Sequence, residues 1–278
     1  MAPYLERVSN FVNEFDNQQR VLRAILWLGF ALFLYFMLQL LIFLNTEPQI
    51  DDTTTEGYVL YLGWNPSSCR LHRDWVGKNC SRKPANEWTI RGFHPQPGSR
   101  THCRSVHRFR ANQMTSVMPR LETDWPNLFQ TMSDEEYWRQ AWLAHGSCSH
   151  HNFSTPNYFK KALEIYSKYP IGVWLAMEHI KPGSSKRDLK TAAQFKSTLR
   201  KHTGNRHSFA LFCDKVKDKE LYLISQIALC ISSNEDVNNL RNCPKQIKSN
   251  CPDVFYFPGE RKLLEKCSCC HQCKFQCP

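Results

Sequence analysis

The sequence predicts an α+β domain, stapled by disulfides and preceded by one transmembrane helix. Three observations predict this. Short β-like apolar runs alternate with one-faced helical stretches across residues 57–258, with long loops between them. All thirteen cysteines lie beyond residue 68, which suits an oxidising compartment for that part of the chain. An uncharged apolar run fills residues 24–44.

The elements follow in chain order. Residues 1–23 are polar and carry Glu6, Arg7, Glu14, Asp16, Arg20 and Arg23. Ala24 to Leu44 (AILWLGFALFLYFMLQLLIFL) has one polar interior residue, Gln39. At about 1.5 Å per residue such a run spans a hydrocarbon core of roughly 30 Å. Arg20 and Arg23 precede it, and Glu47, Asp51 and Asp52 follow. The positive-inside rule then places residues 1–23 in the cytosol and the rest in the lumen or outside the cell. A cleaved signal peptide has a shorter apolar core and a small-residue cleavage site, which Phe43-Leu44-Asn45-Thr46-Glu47 does not offer. A retained signal anchor is therefore expected, with residues 45–56 as a polar stalk.

Val59 to Leu62 reads as a strand ended by Asn65-Pro66, and Trp88 to Ile90 as a second, ended by Gly92 and Pro95. Met114 to Leu121 and Asp134 to Leu143 read as helices. The second begins at Ser133, a cap with Glu136 three residues on. Tyr158 to Tyr169 places its apolar residues on one helical face, and Pro170 ends it. Ser208 to Cys213 and Leu221 to Ser232 read as strands.

Lys and Arg total 36 against 25 Asp and Glu, a formal charge of +11. Such a balance favours polyanionic partners. Asn79-Cys80-Ser81 and Asn152-Phe153-Ser154 fit the glycosylation acceptor pattern at Asn79 and Asn152.

Several stretches come in the order of one known family. They are Tyr61-Leu62-Gly63-Trp64-Asn65-Pro66-Ser67-Ser68-Cys69, Trp88 to Gln96, Met118-Pro119 with Trp125 to Leu128, Tyr137 to Cys148, Ile224 to Cys230, and Cys251 to Pro258. Residues 57–258 thereby resemble the ribonuclease T2 family. The resemblance implies a central, mostly antiparallel sheet with flanking helices. It also implies the bridges Cys69–Cys80, Cys103–Cys148, Cys213–Cys251 and Cys230–Cys243.

The family cleaves RNA by transferring the phosphate to the neighbouring 2′-hydroxyl. Two histidines act as acid and base, a role that suits a pKa near 6.5. Here the first histidine's position holds Arg91, which stays protonated and neither takes nor delivers the proton. The phosphate-binding histidine is replaced by Gln140, the acidic residue by Ala141 and the lysine by Ala144. Of these five positions only His145 keeps its family residue, either as a functional ligand or as a structural histidine. His94, where the family has a tryptophan, is a candidate rescue group or a surface-loop histidine. Arg100, Arg104, Arg108, Arg110 and Arg120 make either a phosphate path or a solvated basic face.

Beyond Pro258, residues 259–278 add Cys267, Cys269, Cys270, Cys273 and Cys277. Disulfides, including one to a second chain, are expected there ahead of a metal site around His271. No cofactor or metal is expected. The functional expectation is a membrane-anchored ribonuclease-like protein without efficient RNA cleavage, binding RNA, another polyanion or a protein. The alternative is a weak or altered endoribonuclease that uses His145 with His94.

Overall fold

The computed structural model describes residues 20, 23, 25–40, 57–80, 85–96, 101–103, 105, 107–129, 131–149, 152–185, 188–204, 208–232 and 240–259. The chain divides into two compact units, Met1–Thr54 and Thr55–Pro278.

In the first unit, residues 25–40 form a helix, α1, whose side chains are exposed. The transmembrane expectation for residues 24–44 is corrected here. Among the described residues no helix is long and apolar enough to cross a membrane. The described stretch 25–40 rises about 24 Å at 1.5 Å each, against a core of roughly 30 Å. The expected localisation, a single-pass membrane protein with a cytosolic N-terminus and a luminal or extracellular domain, falls with the span. The stalk at 45–56 and the cysteine-rich tail from residue 260 lie outside the described residues.

The second unit is an α+β fold around one mixed sheet. Its strands are β1 (Gly57–Trp64), β2 (Trp88–Gln96), β3 (Leu189–Thr191), β4 (Phe209–Lys215), β5 (Tyr222–Ser232) and β6 (Val254–Tyr256). They run in the order β2-β1-β5-β6-β3, and β4 pairs β5 off this path. All pairs are antiparallel except β5 with β6. The helices are α2 (Asn65–Val76), α3 (Met118–Asp124), α4 (Asp134–Ala144), α5 (Thr155–Lys168), α6 (Ile171–Met177) and α7 (Ala192–Thr203).

Local chemistry sets the boundaries. β1 does end at Asn65-Pro66, but Pro66 then opens α2, where its fixed φ and missing N–H suit a first turn. Gly77, at φ 74°, closes that helix in the left-handed region. Gly92 and Pro95 do not end β2, which runs on to Gln96. β2 lies at one end of the sheet, so a residue without an N–H is tolerated. The helix expected from Met114 starts only at Met118, because Pro119 fits a first turn and not a helix interior. α4 begins as its cap predicts, with Glu136 N–H donating to Ser133 Oγ at 3.1 Å.

One sheet face carries Tyr58, Leu60, Leu62 and Trp64 into the main core with Trp125, Trp138, Trp142, Tyr158, Phe159 and Phe195. The alternate residues build a smaller cluster on the other face. There Val59, Ala210, Ala228 and Cys230 pack with Tyr61, Phe212, Cys243 and Ile247. Four disulfides join Cys69–Cys80, Cys103–Cys148, Cys213–Cys251 and Cys230–Cys243, the pairs that the family resemblance implies. Each stabilises by roughly 2–4 kcal/mol.

Candidate active site

The site starts from a break in pleating. Tyr61 pairs Gly92 and Leu62 pairs Ile90, so Arg91 is an extra residue in β2. A bulge of this kind turns two successive residues toward one face. Arg91 thereby stands over Gly63, where a Cβ would come within 2.5 Å of the Arg91 Nε.

The guanidinium is held from two sides. Arg91 Nη2 donates to Asn65 Oδ1 at 2.8 Å, and Nη1 donates to the Pro126 carbonyl at 3.3 Å. Asn65 Oδ1 also accepts from Thr89 Oγ1 at 2.7 Å. Tyr137 Oη donates to the Arg91 carbonyl at 3.4 Å. Arg91 Nε is buried without a partner. Burial lowers the Arg91 pKa, and Tyr137 opposes that shift. A guanidinium starts so high that it stays charged.

Two residues past Gly92, the His94 ring lies flat on His145, with centroids 3.6 Å apart and planes at 19°. Tyr61 packs against His94 at 4.8 Å. Gly92, without a side chain, leaves room for the His94 Nε2 edge. Burial, and then the charge of His145, push the His94 pKa down to about 3. The His145 pKa is lowered too, by burial and then by His102. Both imidazoles are therefore neutral at ordinary pH.

His145 caps the C-terminus of α4 and is placed by packing. Its N–H donates to the Ala141 carbonyl at 3.0 Å. The next residue, Gly146, lies against the Trp142 ring, which would meet any Cβ there. Trp142 Nε1 donates to the His107 carbonyl at 3.1 Å, and Cys148 is tied to Cys103.

The remaining expected residues add no charge near these rings. Gln140 is exposed, and its Nε2 donates to Glu136 Oε1 at 3.4 Å. Ala141 and Ala144 are half-buried. Of the basic stretch, Arg108 and Arg110 line a polar cavity of about 620 Å³ with His107, Ser154 and Thr155. Arg120 is used elsewhere, paired with Asp124 at 2.8 Å. Arg100 and Arg104 lie outside the described residues, as do Cys267, Cys269, Cys270, Cys273 and Cys277. Asn79 and Asn152 are exposed, and Asn152 Nδ2 donates to Tyr58 Oη at 3.0 Å. Among the described residues no group of three or more His, Cys, Asp or Glu side chains is placed to hold a metal.

Sequence reasoning did not single out Asn65, Thr89 or Pro126 as partners of Arg91. Asn65 marks the end of a strand in sequence, and nothing local shows that its amide faces residue 91.

Comparison with known proteins follows the same geometry. A family model described as the ribonuclease T2 family matches residues 56–243. Ribonuclease T2 of Danio rerio is 31% identical over 127 residues, covering 45% of this chain and 49% of its own. This chain thus spans about half the length of that relative. A ribonuclease T2 protein of Caenorhabditis elegans is 26% identical over 196 residues, covering 67% of each chain. Among solved structures, ribonuclease MC1 from the seeds of bitter gourd superposes with a TM-score of 0.63 at 23% identity, covering 72% of this chain and 99% of its own. A variant of ribonuclease MC1 has been solved in complex with 5′-GMP.

Proposed function

The chain belongs to the ribonuclease T2 family, and on that footing we propose that it is a ribonuclease-like protein without efficient RNA cleavage that binds RNA. Residues 57–258 form the family domain in this reading. The observation that carries it is the face-to-face contact of His94 and His145. Transfer to a 2′-hydroxyl needs a base at the attacking oxygen and an acid at the leaving oxygen, on opposite sides of phosphorus. Rings 3.6 Å apart leave no space for a phosphate between them. Neither ring is a proton donor near neutral pH, because both are held neutral by burial. Arg91 replaces the missing histidine with a charge, not a proton carrier.

A proton-transfer group contributes about 10²–10⁴ in rate, and three further charge-handling positions are Gln140, Ala141 and Ala144. What survives suits binding. The chain carries +11, and a relative's complex with 5′-GMP supports a nucleotide-bearing ligand.

A second reading, weak endoribonuclease action by His145 with His94, is favoured by one fact: the fold brings these two rings together. One assay separates the two. The purified chain, Arg91→His and His145→Ala forms are incubated with RNA between about pH 4 and pH 7, the range of histidine titration. The unmodified chain is expected to cleave no faster than the His145→Ala form. Robust cleavage that His145→Ala abolishes would overturn the reading.

A further inference from the structure

A second cationic site lies away from Arg91, at the free edge of β4. The loop from Cys243 to Cys251 is bracketed by two disulfides, Cys243 to Cys230 on β5 and Cys251 to Cys213 on β4. At Ser249 and Asn250 it bonds to β4. Leu211 N–H donates to Ser249 Oγ at 3.0 Å, Asn250 N–H donates to the Leu211 carbonyl at 3.1 Å, and Cys213 N–H donates to Asn250 Oδ1 at 2.8 Å. These contacts cover a strand edge that would otherwise be open, and they fix the loop before any ligand arrives.

Between this loop and α7 lies a cavity of about 350 Å³. Lys196 and Arg200, one helical turn apart on α7, enter it from one side, and Lys245 and Lys248 enter from the loop. Among the described residues no carboxylate lines it. Among the described residues none of the four cations takes part in an ion pair. Neighbouring cations behave otherwise: Lys201, next to Arg200, pairs with Glu178. Four like charges around one cavity repel one another, and a polyanion relieves that repulsion.

The loop that walls this cavity also reaches an aromatic cluster on one sheet face. Cys243 and Ile247 pack in the same cluster as Phe212 and Tyr61. The Phe212 and Tyr61 rings lie 6.3 Å apart, and Tyr61 touches His94. Phe212 and Tyr61 are only partly buried. We propose that Lys196, Arg200, Lys245 and Lys248 bind the phosphates of a single-stranded RNA whose neighbouring bases lie on Phe212 and Tyr61. This deepens the RNA-binding reading and rests on it. The partly exposed rings favour RNA over a sulphated polysaccharide, because bases stack on aromatic side chains and sugars carry no such π-face.

The test is fluorescence anisotropy of a labelled oligouridylate with the full chain, across a salt series. For single strands the slope of log K against log salt is about −0.7 per phosphate neutralised. Four contacts give about −2.8, or about 50-fold weaker binding between roughly 50 and 200 mM salt. A variant carrying Lys196→Gln, Arg200→Gln, Lys245→Gln and Lys248→Gln is expected to lose most of that slope. One carrying Lys196→Arg, Lys245→Arg and Lys248→Arg is expected to keep it. Thermal midpoints check that both variants fold. An unchanged slope in the folded Gln variant, with binding instead weakened by Arg91→Ala, overturns the inference and leaves the RNA-binding reading standing. No RNA binding by the unmodified chain at low salt overturns both. A labelled sulphated polysaccharide bound as tightly as RNA, with Phe212→Ala leaving RNA affinity unchanged, overturns the assignment to RNA.

Discussion

Replacing His94 with Phe isolates a strongly perturbed titration in the site. In the folded chain the His94 pKa is about 3, against an ordinary value of 6.5. Between those values the unfolded chain binds a proton that the folded chain does not. Stability therefore rises with pH in this window and is lost as pH falls from about 6.5 toward about 3. Each pH unit well inside the window is worth about 1.4 kcal/mol for one group, and since the unfolded histidine is only half protonated at pH 6.5, His94 removes about 2 kcal/mol between pH 6.5 and pH 4.5. His145, shifted in the same direction by burial, steepens the dependence. Phe keeps a flat ring between Tyr61 and His145 and cannot be protonated. The assay is urea unfolding of the unmodified and His94→Phe chains at several pH values. The expected result is that the variant loses about 2 kcal/mol less on acidification over that interval. Parallel curves would show that His94 titrates as if exposed, and the argument for two neutral rings would fail.

Two further outcomes follow from the geometry. Gly63→Ala sets a Cβ 2.5 Å from Arg91 Nε and is expected to destabilise by about 1–3 kcal/mol in chemical denaturation. Arg91→Ala in the same chain should remove most of that penalty, and additive effects in the double mutant would refute the contact. Replacing Cys230 and Cys243 together with Ser should destabilise by about 3 kcal/mol, given a sequence separation of 13, and also reduce the salt slope for RNA. A variant that is destabilised but keeps the slope would show that the loop's cations do not depend on this bridge.

The sequence was legible where chemistry is local. The cap at Ser133, the stop at Pro170 and the strands around residues 209–232 follow from neighbouring residues, and the structure places them within a few positions. The family resemblance supplied the disulfide pairs, which spacing alone does not choose. Three things were not legible. α2 carries few apolar residues, so its periodicity is weak, and Pro66 read only as a stop. The bulge at Arg91 depends on register between β1 and β2, which no run within β2 encodes. The meeting of His94 and His145 depends on how the end of α4 lies over that bulge, across 51 positions of sequence, the difference between their numbers.

The residues that survive in the Tyr137–Cys148 segment each have a packing reason. Trp142 is fully buried and bonds to the His107 carbonyl, Gly146 makes room for the Trp142 ring, and Cys148 ties α4 to Cys103. None of these contacts involves RNA. At the positions proposed to have lost charge-handling groups, Gln140 is exposed, and Ala141 and Ala144 are half-buried small residues on the same helix. His145 belongs with the first group as much as the second, since its ring is stacked on His94. Its retention is thus explained without a reaction. Against His145 the fold places the His94 ring, whose pKa burial pushes down to about 3, while the Arg91 guanidinium is engaged by Asn65 and the Pro126 carbonyl.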